Sequence, residues 1–141
     1  MALAPDLVQL LPLLAWSVAG EGRLPMLLAY SLAAPGEVLP LPPWVQALTH
    51  HLHCVMHSAL VAGAVTAVLA LWLRRLWIPL LGWWSHVLID VLTHSAEFFP
   101  SPVFYPLTYW GFDGLAWNTP WVMVPNYLLL GLTWWWVLRR R

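Results

Sequence analysis

The stretch SHVLIDVLTH, running from Ser85 to His94, decides how this chain folds. Val87, Leu88, Ile89, Val91 and Leu92 make it strongly apolar, yet it carries His86, Asp90 and His94, each four residues from the next. In a helix, positions i, i+4 and i+8 share one stripe. The chain around it is 61% hydrophobic and only 9% charged. A helix of this kind belongs in a membrane, with its ionisable stripe turned away from lipid.

The composition supports that reading. Soluble domains are about 25% charged, and here six arginines, no lysine and six acids leave too little charge to coat a soluble surface. The net charge is zero, so no basic field points to nucleic acid. Cys54 is the only cysteine, which rules out an intrachain disulfide. Asp6 and Pro12 interrupt the first apolar run, and no basic region precedes it, so residues 1–20 do not read as a cleaved leader.

Working outward, four apolar blocks are expected: Leu7–Ala19, His53–Leu73, Leu76–Leu92 and Trp121–Leu138. The first is short against a hydrocarbon core of about 30 Å. Five prolines between Pro25 and Pro43 forbid one continuous helix there. Met26–Ala34 is expected as a short helix, re-entrant or interfacial. The 95–118 segment, rich in Pro, Gly, Asn and aromatics, is expected as a loop against the membrane surface. Arg74 and Arg75, and Arg139 to Arg141, favour the cytoplasm and place that loop outside. The expectation is an all-α, multi-pass transmembrane helical bundle forming a single domain over 1–141. It has three to four spanning helices plus the short re-entrant or interfacial one, and a cytoplasmic C-terminus.

Depth then links two blocks. At 1.5 Å per residue, Asp90 lies roughly 22 Å from Arg75, His94 roughly 28 Å, and His86 roughly 16 Å. Counted back from Arg74, His57 lies roughly 25 Å away. Two antiparallel helices therefore bring His57, Asp90 and His94 to one level near the outer face. His50, His53 and His57 form a second stripe, and burying such groups is costly unless they pair or bind a metal. Imidazole and carboxylate suit Zn²⁺, Mn²⁺ or Fe²⁺. Three ligands at i, i+4 and i+8 cannot all reach one ion from a regular helix, whose ends here are about 12 Å apart. The favoured set is His57, Asp90 and His94, with His53 on the same stripe and His86 in the second shell or at a second ion. The competing reading is hydrogen bonding between helices that only fixes packing. His50 and His51 read as interfacial polar residues, and Cys54 as a small buried one. A metal or proton carrier would need polar groups continuing to the inner face, and Gly63–Leu73 offers only Thr66.

His57-Ser58, then SHVLIDVLTH, then FYPLTYWGFDGLAWNTP (104–120), resemble the bacterial membrane-bound metal-dependent hydrolases, an inner-membrane family that includes a LexA-regulated type. Its pattern has an H-S pair opening one helix and S-H-x-x-x-D-x-x-T-H on the next, followed by an aromatic-Pro-apolar step. Ser85, Thr93, Tyr105, Pro106 and Leu107 also match. The resemblance implies an early Pro-Asp element, met here by Pro5-Asp6, and an acid after T-H, met by Glu97. Relatives carry a further apolar helix ahead of the Pro-Asp element, whereas this sequence opens almost at it. Asp6 reaches the other site residues only if Met26–Ala34 also crosses or re-enters.

The expected function is thus metal-dependent hydrolysis of an amphiphilic ester or phosphoester at the bilayer, in the bacterial inner membrane. Zn²⁺ or Mn²⁺ would be held by His57, Asp90 and His94, with His53 and Asp6 as further ligands. His86 or Glu97 would be the general base. The alternative is a non-catalytic membrane protein whose His/Asp stripes serve packing or partner assembly.

Overall fold

The computed structural model describes residues 2–20, 24–33, 39–96, 100–117 and 119–140. Among them the protein is all-helical, with no β-strand: α1 (Ala4–Gln9), α2 (Leu11–Ala19), α3 (Leu24–Leu32), α4 (Pro43–Met56), α5 (Ala59–Leu73), α6 (Leu80–Thr93) and α7 (Pro120–Arg139). Proline sets several of these boundaries. Pro12 has no N–H for the Val8 carbonyl, so the first apolar block divides into α1 and α2. Pro43 and Pro120 occupy first-turn positions, where a missing N–H costs nothing. The short helix expected over Met26–Ala34 is α3.

Two expectations are corrected. The second apolar block does not form one helix from His53 to Leu73. The chain breaks at His57-Ser58, and α4 and α5 meet at a 61° bend. Ser58 is extended (φ −84°, ψ 125°), and its Oγ accepts from the Val61 N–H at 3.2 Å, capping α5. The same hydroxyl donates to the Tyr105 carbonyl at 2.7 Å. Serine therefore has better partners at a helix start than inside a helix. The third block begins four residues later than expected, at Leu80, because Pro79 disfavours helical backbone at Ile78.

α5 and α6 form a hairpin across the Arg74-Arg75 turn, where Arg74 closes α5 in left-handed backbone (φ 52°). Ala62, Leu80, Trp83 and Val87 make the buried seam of this hairpin. Two indole N–H groups brace it: Trp83 to the Met56 carbonyl at 2.7 Å and Trp84 to Thr66 Oγ1 at 3.0 Å. The 100–117 loop then stitches the far end of the hairpin together. The Val103 carbonyl accepts from the Ala59 N–H at 3.0 Å, at the start of α5. The N–H groups of Leu115, Trp117 and Gly114 donate to the carbonyls of Leu92, Thr93 and His94 at 3.0, 2.7 and 2.8 Å, at the end of α6. Gly114 has to be glycine, since a Cβ there would collide with the Leu92 carbonyl.

Polar side chains share the interior with apolar ones such as Leu13, Val45 and Leu80. Ser17, Thr49, His53, His57, Ser58, Asp90 and Ser101 are buried, while Leu71, Trp72, Leu107 and Trp121 face outward. α7 has 20 residues, is apolar enough to cross a membrane, and buries none of its side chains. α4 and α5 meet the same requirement only as a bent pair, and α6, at 14 residues, is a shorter apolar helix.

Candidate metal centre

The site forms where α1 packs against α4 and α6. His57 occupies the C-cap of α4, so its ring projects from the break before α5. His86 and Asp90 stand one turn apart on α6, and Asp6 comes from the first turn of α1. One ligand atom from each of these four residues lies within 4.8 Å of the other three, a group that could hold a metal ion.

The separations discriminate between uses. Asp90 Oδ2 is 3.0 Å from His57 Nε2 and 3.1 Å from His86 Nε2. The two Nε2 atoms are 3.1 Å apart, and Asp6 Oδ1 is 3.6 Å from each. Metal bonds of 2.0–2.1 Å in a tetrahedron place ligand atoms about 3.3 Å from one another. Five of the six edges, at 3.0 to 3.6 Å, bracket that value, and the sixth, between the two carboxylates, lies within 4.8 Å.

Proton accounting points the same way. His57 Nδ1 lies 2.8 Å from the His53 carbonyl, which can only accept, so Nδ1 carries the proton and donates. In neutral His57, Nε2 is then a bare lone pair, facing two carboxylates and another imidazole. Orienting a ligating histidine through its second nitrogen in this way is a common feature of metal sites. Protons alone offer a second solution, a single imidazolium at His57 donating from Nε2 to Asp90 Oδ2 at 3.0 Å with the His86 Nε2 lone pair beside it at 3.1 Å. A single divalent ion satisfies all four atoms and balances the two carboxylates.

A supporting layer surrounds these atoms. Gln9 Nε2 donates to Asp6 Oδ1 at 3.4 Å, and Gln9 Oε1 accepts from His53 Nδ1 at 2.7 Å. His53 stacks on His57 with ring centroids 4.1 Å apart. Burial is graded: the side chains of His57, Asp90 and His86 are 1%, 11% and 12% exposed, while that of Asp6 is 45% exposed. The cluster therefore opens on the Asp6 side.

The structure redistributes the roles expected from sequence. His57 and Asp90 meet, as their matched depth implied. His86 stands among the converging atoms rather than behind them. His94 stands outside them, because α6 ends at Thr93 and His94 is extended (ψ 137°). Its Nδ1 faces the Asp90 carbonyl at 3.1 Å and is 4.0 Å from Asp90 Oδ1. His53 touches the site by stacking and through Gln9. Asp6 joins because α1 lies beside α4 and α6. Glu97 lies outside the described residues. Sequence reasoning passed over Gln9, although it sits one turn after Asp6 on a short apolar helix. It also gave Ser58 no structural part. His51 and Tyr105 pair separately, with Nδ1 and Oη 2.7 Å apart, and His50 lies 3.6 Å from Cys54 Sγ.

No protein-family model matches the chain, and neither the curated proteins nor the solved structures contain a match to it.

Proposed function

We propose that this chain is a multi-pass bacterial inner-membrane protein built around a divalent-metal centre, and that the centre hydrolyses an amphiphilic ester or phosphoester. The observation that carries the reading is the convergence of two imidazoles and two carboxylates at tetrahedral-edge separations. Their setting supports the membrane placement: polar groups among the buried side chains, many leucines and tryptophans facing outward, and a 20-residue apolar helix at the C-terminal end.

The donor set of two nitrogens and two oxygens suits Zn²⁺ or Mn²⁺. When bound, such an ion supplies Lewis-acid polarisation of a carbonyl or phosphoryl oxygen and a more acidic water. His57, His86 and Asp90 form the buried wall of the site. Asp6, the most exposed of the four, stands on the side from which substrate arrives. His94, with Nδ1 turned to the Asp90 carbonyl, has Nε2 as its basic atom and takes the general-base role.

Elemental mass spectrometry of the detergent-purified protein tests this, run beside His57→Ala, His86→Ala and Asp90→Ala. Near-stoichiometric Zn or Mn in the parent, lost in each variant, is the expected result and opens screening with lipid esters and phosphoesters. A folded parent that takes up neither Zn²⁺ nor Mn²⁺ overturns it, leaving the cluster as a packing network between helices.

A further inference from the structure

α7 raises a separate question, independent of the metal centre. None of its residues is buried, although it is 20 residues long and apolar enough to cross a membrane. Two of its side chains carry an aliphatic hydroxyl or amide, Asn126 and Thr133, and they are seven residues apart. Met123, Asn126, Leu130, Thr133 and Val137 follow one another at spacings of three, four, three and four. That is a heptad seam, the pattern of two helices crossing at about 20°.

Asn126 lies six residues into the helix, roughly 9 Å from its start and inside the hydrocarbon layer. Its amide makes no hydrogen bond among the described residues. Lipid tails offer it none, and none of the closely packed helix pairs includes α7. An amide both donates and accepts, so a second asparagine at the same depth satisfies it completely. Every copy of a membrane protein inserts the same way round. A second copy therefore presents its α7 parallel, with residue 126 opposite 126 and residue 133 opposite 133. Thr133 Oγ1 already donates to the Leu129 carbonyl at 2.7 Å, and its lone pairs can accept across the seam.

We infer that the chain is a parallel, two-fold dimer in the membrane, joined α7 to α7 along this seam with the two Asn126 amides paired at its centre. The test is sedimentation equilibrium of the full chain in neutral detergent micelles. The parent should dimerise. Asn126→Leu should weaken the dimer by about three- to tenfold, the effect of one interhelical polar contact in lipid. Asn126→Gln should stay close to the parent, and so should Leu128→Ala, which lies off the seam. Cross-linking in a Cys54→Ser background provides a readout that does not depend on Asn126: Leu130→Cys should form an interchain disulfide and Leu128→Cys should not. A monomeric parent, full-strength dimers of Asn126→Leu, or cross-linking at 128 in place of 130 each overturns the inference.

Discussion

His57 shows how much one side chain can be asked to do. Its Nδ1 is spent on a backbone carbonyl, its Nε2 points at three other ligand atoms, and its ring lies under His53. Replacing it with alanine should abolish metal uptake, because the remaining three ligands lose their buried anchor. Asp6→Asn should have a milder effect, weakening uptake without abolishing it, since Asp6 is the most exposed ligand and asparagine keeps its shape. Gln9→Ala touches no ligand-forming atom of α4 or α6, yet it removes one partner from each of Asp6 and His53. Loss of such a supporting contact commonly costs 10–100-fold in metal affinity, and titration with a competing chelator should reveal about that drop. The spacing of His86 and Asp90 and their depth relative to His57 were legible from the arginines and the helical rise. The exchange of roles between His86 and His94 was not. It depends on α6 ending at Thr93, which the loop residues Gly114 to Trp117 enforce from twenty positions away.

Among the elements, the break between α4 and α5 matters most for the site, since His57 reaches it from the end of α4. Hydropathy alone does not reveal the break, because the residues next to His57-Ser58, Cys54 to Met56 before it and Ala59 to Ala62 after it, are all apolar. The signal lay in Ser58, a residue that favours helix starts over helix interiors. Ser58→Ala removes the cap of α5 and strands the Tyr105 carbonyl. Losing a cap and orphaning a buried acceptor should together cost about 2–3 kcal/mol, measured as a lower thermal midpoint in detergent with helicity retained. Gly114→Ala should act on the neighbouring element, displacing the loop from the last carbonyls of α6. Its effect should be lower thermal stability and weaker metal binding together, because Asp90 sits on that final turn. Helix positions were otherwise readable wherever proline or arginine bounded an apolar run, as with α3, α7 and the end of α5 at Arg74.

For the whole molecule, a bound ion would join α6 to α1 and α4, where α1 already packs closely on α4 but only lightly on α6. Removing it with a membrane-compatible chelator should lower the unfolding temperature, and excess Zn²⁺ or Mn²⁺ should restore it. Mass action sets the scale: ligand at a hundred times its dissociation constant contributes about 2.7 kcal/mol. Metal affinity should fall as pH is lowered, because protons compete for the same imidazoles and carboxylates; a chelator titration at two pH values checks this. The all-helical class and the polar interior followed from composition, whereas the arrival of Asp6 beside α6 is a tertiary event that no local pattern announces.

Asp6 and Asp90 lie at opposite ends of the first two thirds of the chain, and that separation has a consequence in time. A ribosome must pass residue 90, and the α5–α6 hairpin must form, before the four candidate ligands exist in one place. Capture of the proposed ion would thus have to wait until α6 has been made. In a metal-starved cell the chain would still be made, and α1 would keep its packing on α4 while its lighter contact with α6 would lack the bridging ion.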